Sequence, residues 1–134
     1  MLEVEVLGLR ARRVGVPAPS EVRRLSMLAA SAAGVRDGHL AIEFVDARRI
    51  AQLNASFRGE PGPTDVLSFP VDGPEPRPGG VARELGDVII CAQHARDVRE
   101  AIVHGVLHLV GFDHETDDGE MLRLQRQLLA SERA

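Results

Sequence analysis

The sequence predicts an α+β fold: one domain, a four-stranded mixed sheet with helices packed on it, and a metal site at a helix–turn. Three observations lead there. Apolar runs of strand length, alternating or continuous, occur four times, at LEVEVLGL, HLAIEFV, DVLSFPV and GDVIIC. Stretches with apolar residues three and four apart separate the first three of these and follow the last. Three of the five histidines fall within one short stretch, HGVLHLVGFDH, from His104 to His114.

The elements follow in order. LEVEVLGL alternates apolar and acidic residues, as a half-buried strand does. PAPS is a breaker, after which Ser20 caps a helix with Val22, Leu25, Leu28, Ala29 and Ala32 on its apolar face; Gly34 closes it. HLAIEFV alternates at Leu40, Ile42 and Phe44. Asp46 caps a second helix with Ile50, Leu53 and Phe57 on one side, and RGEPGPT is an irregular loop. In DVLSFPV, Pro70 marks a sheet edge or a strand end. DGPEPRPGG is too rich in Pro and Gly for regular structure, whereas GDVIIC is apolar at consecutive positions and reads as a central strand. From AQHARDV onward the pattern is helical, with a stop near Gly111. A last helix starts at Asp117, with Glu120 as a reciprocal cap and Met121, Leu124 and Leu128 on its apolar face. The order is β-α-β-α-β-β-α-α, and two adjacent strands in succession make the sheet mixed.

Composition narrows the function. At 134 residues, without repeats or a separating linker, the chain suits one domain over residues 1–134 with one core. No run approaches the ~20 apolar residues of a membrane span. The N-terminus lacks the basic start and apolar core of a signal peptide, so a cytoplasmic protein is expected. The lone Cys91 excludes an internal disulfide and a multi-cysteine metal site, and it ends an apolar run, as a buried structural thiol would. A net charge of −4 argues against indiscriminate nucleic-acid binding. The charge is uneven, however: nine arginines face seven acids in residues 1–60, and seven face thirteen beyond. A polyanion site would draw on the first half, where Arg10, Arg12, Arg13, Arg23, Arg24, Arg36, Arg48, Arg49 and Arg58 lie. The absence of lysine reads as compositional bias.

The histidine stretch carries the chemistry. Residues four apart lie on one helix face, so His104 and His108 can address one ion. On a continued helix His114 would stand about 9 Å farther along the axis. Nitrogens around one zinc lie only about 3–4 Å apart. The chain must therefore turn back between His108 and His114, and Gly111 stands where a helix end takes a left-handed residue. Three protein ligands leave a coordination position open, as catalytic sites do. Zinc is the default for three imidazoles, and nickel or iron would accept them too. The spacing is that of the metzincin proteases, H-E-x-x-H-x-x-G-x-x-H, but Gly105 replaces the glutamate that serves those enzymes as general base. A peptidase is therefore disfavoured.

HGVLHLVGFDH also closely resembles the signature H-G-x-L-H-L-x-G-[YF]-D-H of the YbeY family of bacterial rRNA maturation endoribonucleases. LNASFRGEPGPTDVLSFP, from Leu53 to Pro70, and LGDVIIC, from Leu85 to Cys91, are similar to two further segments of that family. The likeness runs from about Leu40 to the end. It implies a cleft holding one zinc ion on His104, His108 and His114, and cleavage of single-stranded RNA. It further implies maturation of the small-subunit rRNA 3′ end and ribosome quality control, with the small ribosomal subunit and its proteins as partners. Arg58 aligns with an arginine that the family needs for activity. One departure stands out. The family has a helix and a loop before the metal-bearing helix, whereas here only twelve residues, Ala92 to Val103, precede His104.

Phosphodiester cleavage builds charge on phosphate oxygens, which a metal and a guanidinium can stabilise together. Arg58, opening the irregular loop, is the candidate guanidinium. The open metal position admits either a nucleophilic water or a phosphate oxygen attacked by the RNA 2′-hydroxyl, and the sequence leaves both open. Asp113 is a candidate partner for a ligand imidazole or a turn cap. Asp65 and Asp87 read as structural hydrogen-bonding residues, and His39 and His94 as surface residues. The alternative to an endoribonuclease is a metal-binding, ribosome-associated assembly factor with little cleavage of its own.

Overall fold

The computed structural model describes residues 1–8, 16–72 and 83–133. Arg10, Arg12 and Arg13 of the expected polyanion group lie outside the described residues, as does all but the first residue of DGPEPRPGG. The elements appear in the predicted order: β1 (Leu2–Leu7), α1 (Pro19–Ala32), β2 (Gly38–Phe44), α2 (Ala47–Arg58), β3 (Val66–Pro70), β4 (Glu84–Ile90), α3 (Val98–Leu109) and α4 (Glu120–Arg133). No helix among the described residues is long and apolar enough to cross a membrane.

The sheet order is β1-β2-β4-β3. β1 and β4 run parallel to β2, and β3 runs antiparallel to β4, so the sheet is mixed. Pro70 lies on the edge strand, where its missing N–H costs no ladder bond, and β4 is central, as its continuous apolar run requires. Alternation along the strands supplies two cores. Leu40, Ile42, Phe44, Val88 and Ile90 face α1, α3 and α4, with Val22, Leu25, Ile102, Val106 and Met121 packed against them. Ile89, Leu67 and the buried Cys91 face the other way and cover Ile50 of α2. Arg99 of α3 forks onto Glu21 of α1 with contacts of 3.0 and 3.1 Å, tying the two helices on the larger core.

Several expectations are corrected. Ser20 does not cap α1: Ala18 is the N-cap, without a side-chain bond, because Pro19 opens the helix two residues earlier than expected with its preset φ. The buried face of α1 is Val22, Leu25, Ser26, Ala29 and Ala30, with Leu28 only half-buried and Ala32 exposed. A small hydroxyl is admitted to the core because Ser26 Oγ donates to Val22 O at 2.8 Å. Asp46 does cap α2, accepting from Arg49 N. Phe57, however, turns to solvent at 67% exposure. AQHARDV is not continuously helical: Ala92–His94 form a 3-10 turn, and Asp97 caps a separate start of α3. α4 begins at Glu120 rather than Asp117, since the Asp117 carboxylate accepts from Gly119 N and Met121 N and holds a turn before the helix. The Glu120 carboxylate accepts from Asp118 N rather than from Asp117. His94 is exposed, as read, but His39 is half-buried between Glu84 (2.6 Å) and Glu5 (3.2 Å) across three strands. Burial opposes the charge on that ring, but the bonds and charges of the two glutamates outweigh it and raise its pKa.

One glycine sets how closely the metal-bearing helix approaches the sheet. A β-carbon at Gly105 would stand 2.4 Å from Val88 Cγ1 and 3.2 Å from Val66 Cγ2. The backbone of α3 therefore rests directly on β4 and β3, and Ser68 Oγ of β3 donates to Gly105 O at 3.0 Å. Gly105→Ala should overpack this contact and destabilise the protein by about 1–3 kcal/mol, measured by urea denaturation. An unchanged midpoint would contradict so close an approach.

Candidate metal centre

α3 carries His104 and His108 one turn apart on one face, and the chain brings His114 back to them. The reversal is a Schellman turn: Gly111 N donates to His108 O at 3.1 Å and Phe112 N to Leu107 O at 3.0 Å. Gly111 has φ 106°, a backbone state that a β-carbon disfavours. The three rings pack mutually, with centroids 4.8, 5.1 and 5.2 Å apart. One nitrogen from each lies within 4.8 Å of the others, a grouping able to hold one metal ion. The three predicted histidines are thus brought together.

The donor set suits a nitrogen-favouring divalent cation. His108 Nδ1 is 3.0 Å from Phe112 O, and a carbonyl only accepts, so Nδ1 carries the proton and Nε2 keeps its lone pair. His104 Nδ1 is 2.9 Å from Gln125 Oε1, which fixes the same tautomer. Burial lowers the pKa of His108, the charge of His104 adds to this, and the Phe112 carbonyl offsets part of it. This shift favours the neutral ring, the form that ligates metal. Beside the cluster, the amide of Met121 and then that of Gly119 hold the Asp117 carboxyl below the usual carboxylate range.

The cluster opens into a cleft of about 940 Å3. The end of α2 and strand β3 form one wall, with Phe57, Arg58, Thr64, Asp65 and Phe69; the start of α3 lines the cleft with Arg96, Asp97 and Glu100. Arg58 is exposed at the last position of α2, where Gly59 ends the helix in the left-handed conformation, and it shares the cleft with all three histidines. Asn54, one turn earlier, is buried and donates Nδ2 to Gly62 O at 3.0 Å, anchoring the loop after Arg58. The twelve residues before His104 thus become a short turn and the opening of α3, and they still reach the cleft.

The acids resolve as follows. Asp65 Oδ1 accepts from Val66 N at 2.8 Å, a structural bond as read. Asp87 lies mid-strand in β4, opposite Phe69 and Ala41. Asp113 caps its own turn, accepting from Glu115 N at 3.0 Å, rather than bonding an imidazole. The imidazole partners are instead Gln125 and the Phe112 carbonyl. Sequence reasoning missed both; the signal for Gln125 was a polar residue between Met121, Leu124 and Leu128 on the apolar face of α4.

Comparison with known proteins identifies the family of this chain. The family model described as Endoribonuclease YbeY matches residues 20–132, which extends the likeness through α1. Endoribonuclease YbeY of Rhodopseudomonas palustris is 47% identical over 107 residues, covering 68% of this chain and 55% of that protein. The chain thus spans about half the length of that relative. The enzyme of the same name from Stenotrophomonas maltophilia strain R551-3 is 42% identical, covering 88% of this chain and 82% of that one. That from Alkalilimnicola ehrlichii is 40% identical, covering 96% and 86%. The solution structure of a Thermotoga maritima protein superposes with a TM-score of 0.53 at 26% identity, covering 94% of this chain and 86% of that one. The chain belongs to the endoribonuclease YbeY family.

Proposed function

We propose that this protein is a zinc-dependent endoribonuclease that cuts single-stranded RNA, with His104, His108 and His114 as the zinc ligands and Arg58 as a catalytic residue. The observation that carries this reading is the meeting of three imidazoles in one cleft with Arg58 at its rim. Its substrate is the small-subunit rRNA, whose 3′ end it matures in the cytoplasm, with a part in ribosome quality control on the small subunit. Residues 1–134 act in this reading as one endoribonuclease domain. Family membership supports the RNA substrate; the donor set, three imidazoles and no thiolate, supports zinc.

A bound zinc ion supplies Lewis-acid stabilisation of the charge that develops on the scissile phosphate. The chain's own groups do the rest. Gln125 and the Phe112 carbonyl hold His104 and His108 with their Nε2 lone pairs free. Asn54 and Gly59 fix the end of α2, so that Arg58 is presented to the cleft from a rigid element. Its guanidinium offers a planar fork to two phosphate oxygens. With α3 pressed on the sheet at Gly105, both walls of the cleft are tied to one scaffold.

Two measurements test this. The zinc-loaded protein should cut a single-stranded RNA; His114→Ala should abolish cutting, and Arg58→Ala should slow it by about 10²- to 10³-fold, the cost of losing one charge-stabilising group. Equal cutting by all three would point to a contaminating nuclease and favour a ribosome-bound factor without catalysis. Gln125→Leu should keep the fold but weaken zinc affinity by about 10- to 100-fold, read by competition with a chromophoric chelator, whereas Gln125→Glu should retain it. Unchanged affinity in Gln125→Leu would show that the His104 bond does not orient a ligand.

A further inference from the structure

Phe57 stands apart from the other aromatic residues of a chain that has four Phe, no Trp and no Tyr. Phe44 is fully buried, and Phe69 and Phe112 are half-buried, yet Phe57 is 67% exposed on the cleft wall. It is the only aromatic among the large exposed hydrophobic side chains of the described residues. Leaving it in water is unfavourable, and nothing in α2 requires an aromatic there, since Ile50 and Asn54 already fill the buried face. The ring is nonetheless held. It meets Phe69 edge to face, with centroids 5.2 Å apart and planes at 71°, so at least one of its faces is left open. The helix carrying it ends two residues later at Gly59 and is clamped to the following loop through Asn54.

We propose that Phe57 is a stacking platform for one unpaired nucleobase of the RNA strand, beside the phosphate that Arg58 engages. This rests on the reading of the cleft as an RNA site. A nucleotide carries a flat aromatic face and an anion a short distance apart, and Phe57 and Arg58 present the complementary pair from adjacent positions in the same cleft. A peptide would match both only where an apolar and an acidic side chain happen to stand side by side, whereas every nucleotide carries a ring and an anion together. Bases in a duplex are already stacked on both sides, so a platform of this kind admits only a strand with a base free to leave its neighbours. Selectivity for single strands would then arise at Phe57, independently of the histidine cluster.

The test uses the zinc-loaded protein and two short, fluorescently labelled 2′-O-methyl strands with identical backbones, one bearing bases and one abasic. Phe57→Ala should bind the base-bearing strand about 5- to 150-fold more weakly, the range expected for one stacked base, and the abasic strand as the wild type does. Phe57→Trp should keep wild-type affinity. Its indole, the sole tryptophan, should be quenched by the base-bearing strand and not by the abasic one. Unaltered binding by Phe57→Ala, an equal loss for both strands, or an unquenched indole would overturn the platform. If the wild type still cuts RNA in those cases, the endoribonuclease reading stands without it. A wild type that neither binds nor cuts RNA would overturn both.

Discussion

Three imidazoles meet because the chain reverses at Gly111. A helix alone can align His104 with His108, but it carries each further residue away along the axis. The Schellman turn cancels that advance within three residues, and its φ of 106° at Gly111 is what makes it available. The same turn leaves the Phe112 carbonyl facing His108 Nδ1. One local structure thus returns the third ring and sets the tautomer of the second. Gln125 does the equivalent for His104 from α4, which ties the centre to the packing of the last helix on the core through Met121 and Leu129.

The rest of the fold supplies opposing walls. α3 lies tight on β4 and β3 because Gly105 has no side chain, so the histidine face looks out over the edge strand. The position that holds glutamate in the metzincin spacing is here a packing position, and a larger side chain would meet Val88. On the other side, α2 ends at the rim of the cleft and displays Phe57 and Arg58. A half-buried metal-type ligand set, a cation at the rim and an aromatic face beside it form a gradient of chemistry suited to phosphate, backbone and base in turn.

Much of this was legible in the sequence, for identifiable reasons. Strand alternation at Leu40, Ile42 and Phe44, the continuous run of GDVIIC and the edge signal of Pro70 report directly on burial and ladder bonds, and each matched its strand's place in the sheet. The histidine offsets, with Gly111 between them, encode a distance constraint, so the cluster could be read without coordinates. What escaped was set by tertiary context. Pro19 displaced Ser20 as the start of α1, and Asp117 was used in a turn rather than as a helix start. His39 was drawn between Glu5 and Glu84 by the parallel pairing of β1, β2 and β4, which no local pattern contains. Phe57 fitted the helical apolar stripe, yet it lies beyond the reach of the small core formed by Ile89, Leu67 and Cys91.

The central claim is that His104, His108 and His114 ligate one cation together. X-ray absorption spectroscopy of the zinc-loaded protein tests it most directly, with His114→Ala as the comparison. The account predicts one zinc per chain and a first shell containing three imidazole nitrogens at about 2.0–2.1 Å, reduced by one in the variant. A wild-type shell with fewer than three imidazoles, or one unchanged by the loss of His114, would contradict it.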